Sequence, residues 1–382
     1  MKIGYLRMGL PVEIDVMKGS TSSLGTEIRD GLLHDWTKLG HEITIYTTTR
    51  NFEPKKKHRM SLFDDEPVQQ TPSWMEKLKV DDQTLNIDSD VLWVECGQPN
   101  TIFGDHVRRC FDVISKFRGT VIYHQHSDFS FPFGDIWETT DSSHEKNLRV
   151  MLKKYDILTD KKWKVLSPST NQEVFKTMSN GRADYKDLET KGIVEFGYIP
   201  PAHSDVEPYF PLKQDPLYDA LWIGGQNTSN RNKTGKKDSR YELVKKYYGT
   251  PLYKTAIIGE WETQIPNTKM LGVQGKHGDA YKYWNDSLVC INCASEKNNK
   301  MGIIPSRFTM AIRGGSIMLS DTNFHGIDRY LDKKYIVSSA ESCHRIIDEL
   351  KSLSLEEREK IRQEQLMKFP KWESLNWTSI FK

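Results

Sequence analysis

Residues 120–134 read TVIYHQHSDFSFPFG, and the change of character at their centre decides the fold. Val121, Ile122 and Tyr123 are a short continuous apolar run, the kind carried by a strand buried on both faces. His124, Gln125, His126, Ser127 and Asp128 follow at once, then three phenylalanines, a proline and a closing Gly134. In an open parallel sheet, ligands sit just past the carboxyl ends of the strands. A carboxylate there, walled by Phe129, Phe131 and Phe133, is suited to general-base work partly shielded from water. Standing alone, Asp128 reads more simply as a helix cap or loop carboxylate; its setting along the chain changes that reading.

The alternation runs outward in both directions. Residues 2–8 read as a strand. Residues 26–39 read as a helix, on Ile28, Leu32, Leu33 and Trp36, with Gly40 as its stop. Strands follow at 42–47 and 91–95, a helix at 103–117 and the strand at 120–123. The stretches 9–25 and 52–85 read as loops. A helix at 144–155 and a strand at 164–167 continue the βαβ rhythm, which predicts a parallel sheet covered by helices on both faces. Residues 198–212, YIPPAHSDVEPYFPL, hold four prolines and read as a linker. The rhythm then restarts, with strands at 218–223, 255–258, 269–273, 287–292 and 316–319. Its helices are predicted at 239–248, 279–285, 305–313, 340–353 and 355–368.

The predicted architecture is therefore α/β: two doubly wound, Rossmann-like halves facing across a cleft. Residues 1–205 form the first half and 206–368 the second. Residues 369–382 carry Trp372, Trp377 and Phe381, which need a surface to pack on. This geometry suits a transferase with its acceptor on one half and an activated donor on the other. No G-x-G-x-x-G follows a strand, which counts against a dinucleotide.

A chain of 382 residues exceeds what one core supports. No apolar run approaches the roughly 20 residues needed to cross a bilayer. MKIGYLRMG is too short and too charged for a signal peptide, so a cytoplasmic protein with reduced thiols is expected. Cys290 and Cys293 have metal or redox spacing, but no second pair accompanies them, and they sit in a strand-like run. Buried structural thiols are the expectation, and no metal ligand set is assigned.

A net charge of +2 excludes little; its distribution is more informative. Lys55, Lys56, Lys57 and Arg59 make one basic cluster, Arg108-Arg109 a second and residues 231–237 a third. Such loops can track phosphates or simply be solvated. Gly224-Gly225 follows the first strand of the second half, where glycines let backbone N–H groups approach an oxyanion. Arg240 and Arg307 each open a helix. A cation there is mildly unfavourable unless an anion is present, so the two together point to a phosphate site. Lys276 is a third candidate cation.

These features lie along a pattern that resembles the DNA β-glucosyltransferases of T-even bacteriophages. The pattern runs from MKIGYLRMG through Ser127-Asp-Phe-Ser-Phe-Pro-Phe133, where that family has Thr-Asp-Ile-Arg-Leu-Pro-Phe. It continues with Val194-Glu-Phe-Gly-Tyr-Ile-Pro200, Ile223-Gly-Gly225, Gly275-Lys276, Arg307 and Ser316-Ile-Met-Leu-Ser-Asp321, and ends in a tryptophan-bearing last helix.

The resemblance implies a GT-B fold whose last helix crosses back to the amino-terminal half. It implies an inverting transfer from a UDP-sugar to 5-hydroxymethylcytosine in duplex phage DNA, with evasion of restriction as its benefit. The implied base is Asp128. The implied donor-binding positions are Glu27, Gly225, Gln226, Thr228, Arg231, Arg240, Lys276, His277, Arg307 and Met310. His126, Phe129 and the first two basic clusters fall to the acceptor, a base flipped out of the DNA stack. No cofactor is required, a divalent metal being at most stimulatory; the protein is expected to be monomeric and to have no membrane partner. Three positions depart from the family pattern: Met310 replaces a ribose-binding carboxylate, Ala202 a sugar-side carboxylate, and Thr228 an arginine of the Gly-Gly loop for which Arg231 is close enough to substitute. The change near the sugar makes a pentose such as arabinose an alternative to glucose. A glycan or small-molecule acceptor, 5-hydroxymethyluracil DNA as acceptor, and an inactive binding module are the other readings.

Overall fold

The computed structural model describes residues 1–8, 24–46, 77–81, 87–96, 112–124, 161–178, 189–225, 239–259, 261–272 and 280–382. The first half is built from β1 (Lys2–Met8), α1 (Leu24–Lys38), β2 (Glu42–Tyr46), β3 (Lys79–Asp81), β4 (Val91–Cys96), β5 (Val121–His124), β6 (Trp163–Ser167), α2 (Gln172–Met178) and β7 (Val194–Tyr198). Its seven strands pair in the order β3-β2-β1-β4-β5-β6-β7, every pair parallel. All four residues of β5 are buried, which explains the apolar run at 121–123. The order reverses direction between β1 and β4, the point where an open parallel sheet leaves a crevice.

The second half begins with β8 (Tyr218–Ile223), α3 (Ser239–Tyr248), β9 (Thr255–Ile258), β10 (Thr268–Met270), α4 (Ala280–Trp284) and β11 (Ser287–Asn292). It continues with α5 (Glu296–Met301), α6 (Arg307–Gly314), β12 (Ile317–Asp321), β13 (Ile336–Val337), α7 (Ala340–Ser352) and α8 (Leu355–Leu366). Its strand order is β10-β9-β8-β11-β12-β13, again all parallel, with the reversal between β8 and β11. All six residues of β11 are buried. Cys290 and Cys293 are free and enclosed there; burial pushes the Cys290 thiol up to about 12 and Cys293 well above its ordinary value. Both thiols are therefore protonated core side chains. Among the described residues no helix is long and apolar enough to cross a membrane.

Residues 371–381 return to the first half. The helix α9 (Trp377–Phe381) lays Trp377 against Trp36 of α1, ring centroids 5.2 Å apart, and Phe381 stacks on Trp377 at 5.3 Å. Trp36 in turn meets Trp93 of β4 edge-on at 5.1 Å. Offset and edge-to-face aromatic pairs add to the burial of large rings, so this cluster closes the first core.

The proline-rich stretch 198–212 is more tightly held than a linker. Tyr198 ends β7, and Ala202, His203, Ser204 and Glu207 are buried. Arg313, in the last turn of α6, reaches this strap. Its Nε donates to the Pro208 carbonyl at 3.2 Å, its Nη2 to the Glu207 carbonyl, and its Nη1 to His203 Nδ1 at 3.3 Å. Ser204 Oγ donates to Asp35 of α1 at 2.7 Å, and the backbone of His203 pairs with Pro370 and Trp372. The strap thus binds α1, α6 and the returning segment to one another. A second seam joins the halves where Ser169 bridges Ile303 and Thr170 Oγ1 donates to the His325 carbonyl at 2.7 Å. Gly302 (φ +62°) is required there, since a Cβ would stand 1.9 Å from Thr170 Oγ1.

Trp377→Ala is expected to destabilise the first half by about 3–5 kcal/mol, read as a lower urea midpoint for its unfolding; an unchanged midpoint would contradict the packing. The strap also titrates. Burial pushes Glu207 up to about 8, against the opposing pull of Arg313. Burial and the Arg313 charge bring His203 down to about 4. The folded state therefore holds a proton on Glu207 that the unfolded chain releases above about 4.5, so this contribution fades as pH rises toward 8. The unfolded chain instead gains a proton on His203 below about 6.5, so stability also falls as pH drops toward 4. Relative to wild type, Glu207→Gln should gain in Tm from pH 4.5 to 8, and His203→Gln from pH 6.5 down to 4.

Candidate functional site

Strand β8 ends in Ile223-Gly224-Gly225, beside the reversal of the second sheet. Gly224 has φ +153° and Gly259, at the end of β9, has φ +146°, conformations that favour glycine. The two backbones touch: Gly224 N donates to Ile258 O at 2.9 Å, and a Cβ on Gly259 would stand 2.3 Å from the Gly224 oxygen. Trp261 Nε1 closes the turn with a 2.7 Å bond to that same oxygen. A side chain at Gly259 is excluded here for steric reasons.

Arg307 enters from the first residue of α6. Its guanidinium carbon lies 4.3 Å from the centre of the Trp222 ring, and its Nη1 is enclosed with no hydrogen-bond partner among the described residues. Burial of the guanidinium, then the charge of nearby Arg240, bring its pKa down to about 10. It remains a cation at neutral pH. Arg240 stands in the first turn of α3. Two guanidinium groups repelling each other at two helix starts form an arrangement that an anion relieves. Among the described residues no group of three His, Cys, Asp or Glu side chains is placed to hold a metal.

At the carboxyl ends of the first sheet lies a network that sequence reasoning did not single out. Glu95 is buried near the end of β4; its Oε2 accepts from Tyr5 OH at 2.6 Å and its Oε1 from Trp93 Nε1 at 3.2 Å. His124, the last residue of β5, has Nδ1 3.5 Å from Glu95 Oε1 and packs on Trp93, ring centroids 5.0 Å apart. The available signal was a carboxylate and a phenol interrupting two otherwise apolar strands, with the register aligning Glu95 and His124.

The structure brings Arg240, Arg307 and the Gly224-Gly225 turn together. Met310 corrects the expectation of a donor contact: it is fully buried in the core of the second half, with no surface for a ligand to touch. Ala202 is likewise a core residue, of the first half. Glu27 lies on α1, its side chain outside the described residues. Asp128, His126, Phe129, Gln226, Thr228, Arg231, Lys276, His277, Lys55, Lys56, Lys57, Arg59, Arg108 and Arg109 also lie outside them.

Solved structures similar to this chain include a DNA-modifying β-glucosyltransferase. The β-glucosyltransferase of phage T4 in complex with UDP and Mn2+ is similar over 100% of both chains, with TM-score 0.67 and 15% identity. The T4 enzyme in complex with UDP-glucose gives TM-score 0.65 at 15% identity, over 98% of this chain and 97% of that one. An α-glucosyltransferase in complex with UDP and a 13-mer DNA containing a HMU base gives 0.57 at 13% identity, over 100% and 98%. The chain has the GT-B fold. No family model and no curated protein matches it, so the likeness is one of architecture, spanning the whole chain.

Gly224→Ala puts a methyl group 3.3 Å from Trp222 Nε1 and 3.6 Å from Arg307 Nη1, on a backbone that disfavours it. The expected result is a loss of pyrophosphate affinity of roughly tenfold or more, measured by calorimetry. Unchanged affinity would move the anion elsewhere.

Proposed function

We propose that the protein is a glycosyltransferase that moves a sugar from a UDP-sugar to the hydroxymethyl group of 5-hydroxymethylcytosine in double-stranded DNA. The observation that carries this reading is the Arg307–Arg240 pair on the glycine turn of β8, set in the second sheet of a GT-B fold. A UDP-sugar presents a diphosphate to such a site. As the glycosidic bond breaks, negative charge grows on departing UDP, and fixed cations that meet it there lower the barrier.

On the acceptor half, Asp128 takes the proton of the hydroxymethyl group. The oxygen of that group attacks the anomeric carbon while the bond to the β-phosphate breaks. One displacement inverts the anomeric configuration. Support for this assignment comes from the sequence: Asp128 follows β5, whose carboxyl end lies beside the crevice of the first sheet. The basic loops at 55–59 and 108–109 belong to the same half and are assigned to DNA phosphates, with His126 and Phe129 beside the flipped base. Flipping costs a few kcal/mol. Gln226, Thr228, Arg231, Lys276 and His277 are assigned to the donor, and Glu27 to its sugar. A divalent metal is at most stimulatory.

Met310, buried in the core, offers the ribose none of the charge-assisted hydrogen bonds a carboxylate would supply. With Ala202 also apolar, either glucose or a smaller pentose suits the donor position. 5-Hydroxymethyluracil is the second acceptor reading, since a similar structure holds DNA containing a HMU base.

Hydroxymethylated duplex DNA incubated with the enzyme and single UDP-sugars, then digested and analysed by mass spectrometry, tests the proposal. A nucleoside heavier by one sugar is expected, with the new linkage inverted relative to the donor. No product with any UDP-sugar would overturn it. Asp128→Ala should abolish transfer while UDP affinity stays within about twofold of wild type.

A further inference from the structure

Trp222 belongs to no part of the reaction described above, yet it touches the group that matters most. It is the penultimate residue of β8 and is fully buried. Buried arginines are normally paired with carboxylates. Among the described residues none pairs with Arg307; the indole face at 4.3 Å stands where a counter-ion would. The difference is chemical. A carboxylate would stabilise the guanidinium by occupying its N–H groups, whereas an aromatic face stabilises the charge through the ring quadrupole and leaves them available.

The indole N–H adds a second observation. Buried tryptophan Nε1 usually finds an acceptor, and Trp222 Nε1 has none among the described residues. It and Arg307 Nη1 lie 3.3 Å and 3.6 Å from the same point, where a side chain on Gly224 would begin. Two donors without an acceptor among the described residues, from a strand and a helix distant in sequence, converge over a residue that has no side chain. The complement is a compact oxyanion with several lone pairs.

We propose that Trp222 is the positioning residue of the anion site: its ring holds Arg307 with the N–H groups free, and its Nε1–H donates to the same phosphoryl oxygen. This rests on the reading of the Gly224 turn as the diphosphate site of a nucleotide-sugar, and it adds to that site a third donor.

The test is calorimetric binding of inorganic pyrophosphate and of UDP to wild type, Trp222→Phe and Trp222→Leu, each also in an Arg307→Gln background. Trp222→Phe keeps a ring and loses the N–H; roughly 3–10-fold weaker binding is expected. Trp222→Leu loses both and should weaken binding by roughly a further tenfold. In the Arg307→Gln background the Phe and Leu variants should bind alike, because no cation is left for the ring to hold. A Phe-to-Leu difference as large in the Arg307→Gln background as with Arg307 in place, or wild-type affinity in Trp222→Leu, would overturn the proposal and leave Trp222 a core residue. The unsubstituted protein gives a check independent of variant folding. Its Trp222 indole N–H resonance, assigned by its absence in Trp222→Phe, should shift downfield on adding pyrophosphate, and a static resonance counts against the proposal. Binding of pyrophosphate without UDP would refute the nucleotide reading and leave the role of Trp222 standing; binding of neither refutes both.

Discussion

A guanidinium enclosed beside a second guanidinium, at a helix start and with no carboxylate paired to it among the described residues, is an unfavourable arrangement, and the second half of the molecule holds it in place. The positive end of the α6 dipole and the charge of Arg240 both work against Arg307. The face of Trp222 is the compensating contact. Gly224 and Gly259 lie backbone to backbone beside it, and Gly224 lets the Trp222 indole N–H and Arg307 Nη1 come close to the turn. Structures store such local cost where a ligand relieves it.

The same helix links this site to the rest of the chain. Arg307 opens α6, and Arg313 in its last turn grips the strap at 203–208, which also carries Ser204 against Asp35 of α1. One short element therefore has Arg307 at one end and the junction of the two halves at the other. The junction is polar and buried, with His203 neutral and accepting from Arg313. Polar groups so enclosed fix geometry more than they add stability.

Much of this was legible in the chain. Buried strands such as β5 and β11 announce themselves as apolar runs, and each ends at a glycine or polar residue where the sheet meets its crevice. Arg240 and Arg307 were visible as cations at helix starts, because capping and dipole effects are local. Short edge strands were less visible: β3 lay inside a stretch read as loop, and β7, with exposed and half-buried residues, has no apolar run to mark it. The strap was read as a linker from its prolines, since its burial depends on partners in α1, α6 and the returning segment. The Trp222–Arg307 contact and the Tyr5–Glu95–His124 network join residues far apart in the chain, which no local pattern encodes. Met310 was misread for the opposite reason: its position came from resemblance, while the packing of α6 turns it into the core.

The return of residues 371–381 has a consequence for biogenesis. The sheet of the first half is complete in sequence at Tyr198, but Trp36 and Trp93 find their covering rings only when Trp377 and Phe381 arrive. At roughly 5–20 residues per second, translation leaves about 10–35 s between the two events. During that interval an apolar face waits uncovered on the nascent chain, a natural landing place for a chaperone. The part made first is thus the part finished last.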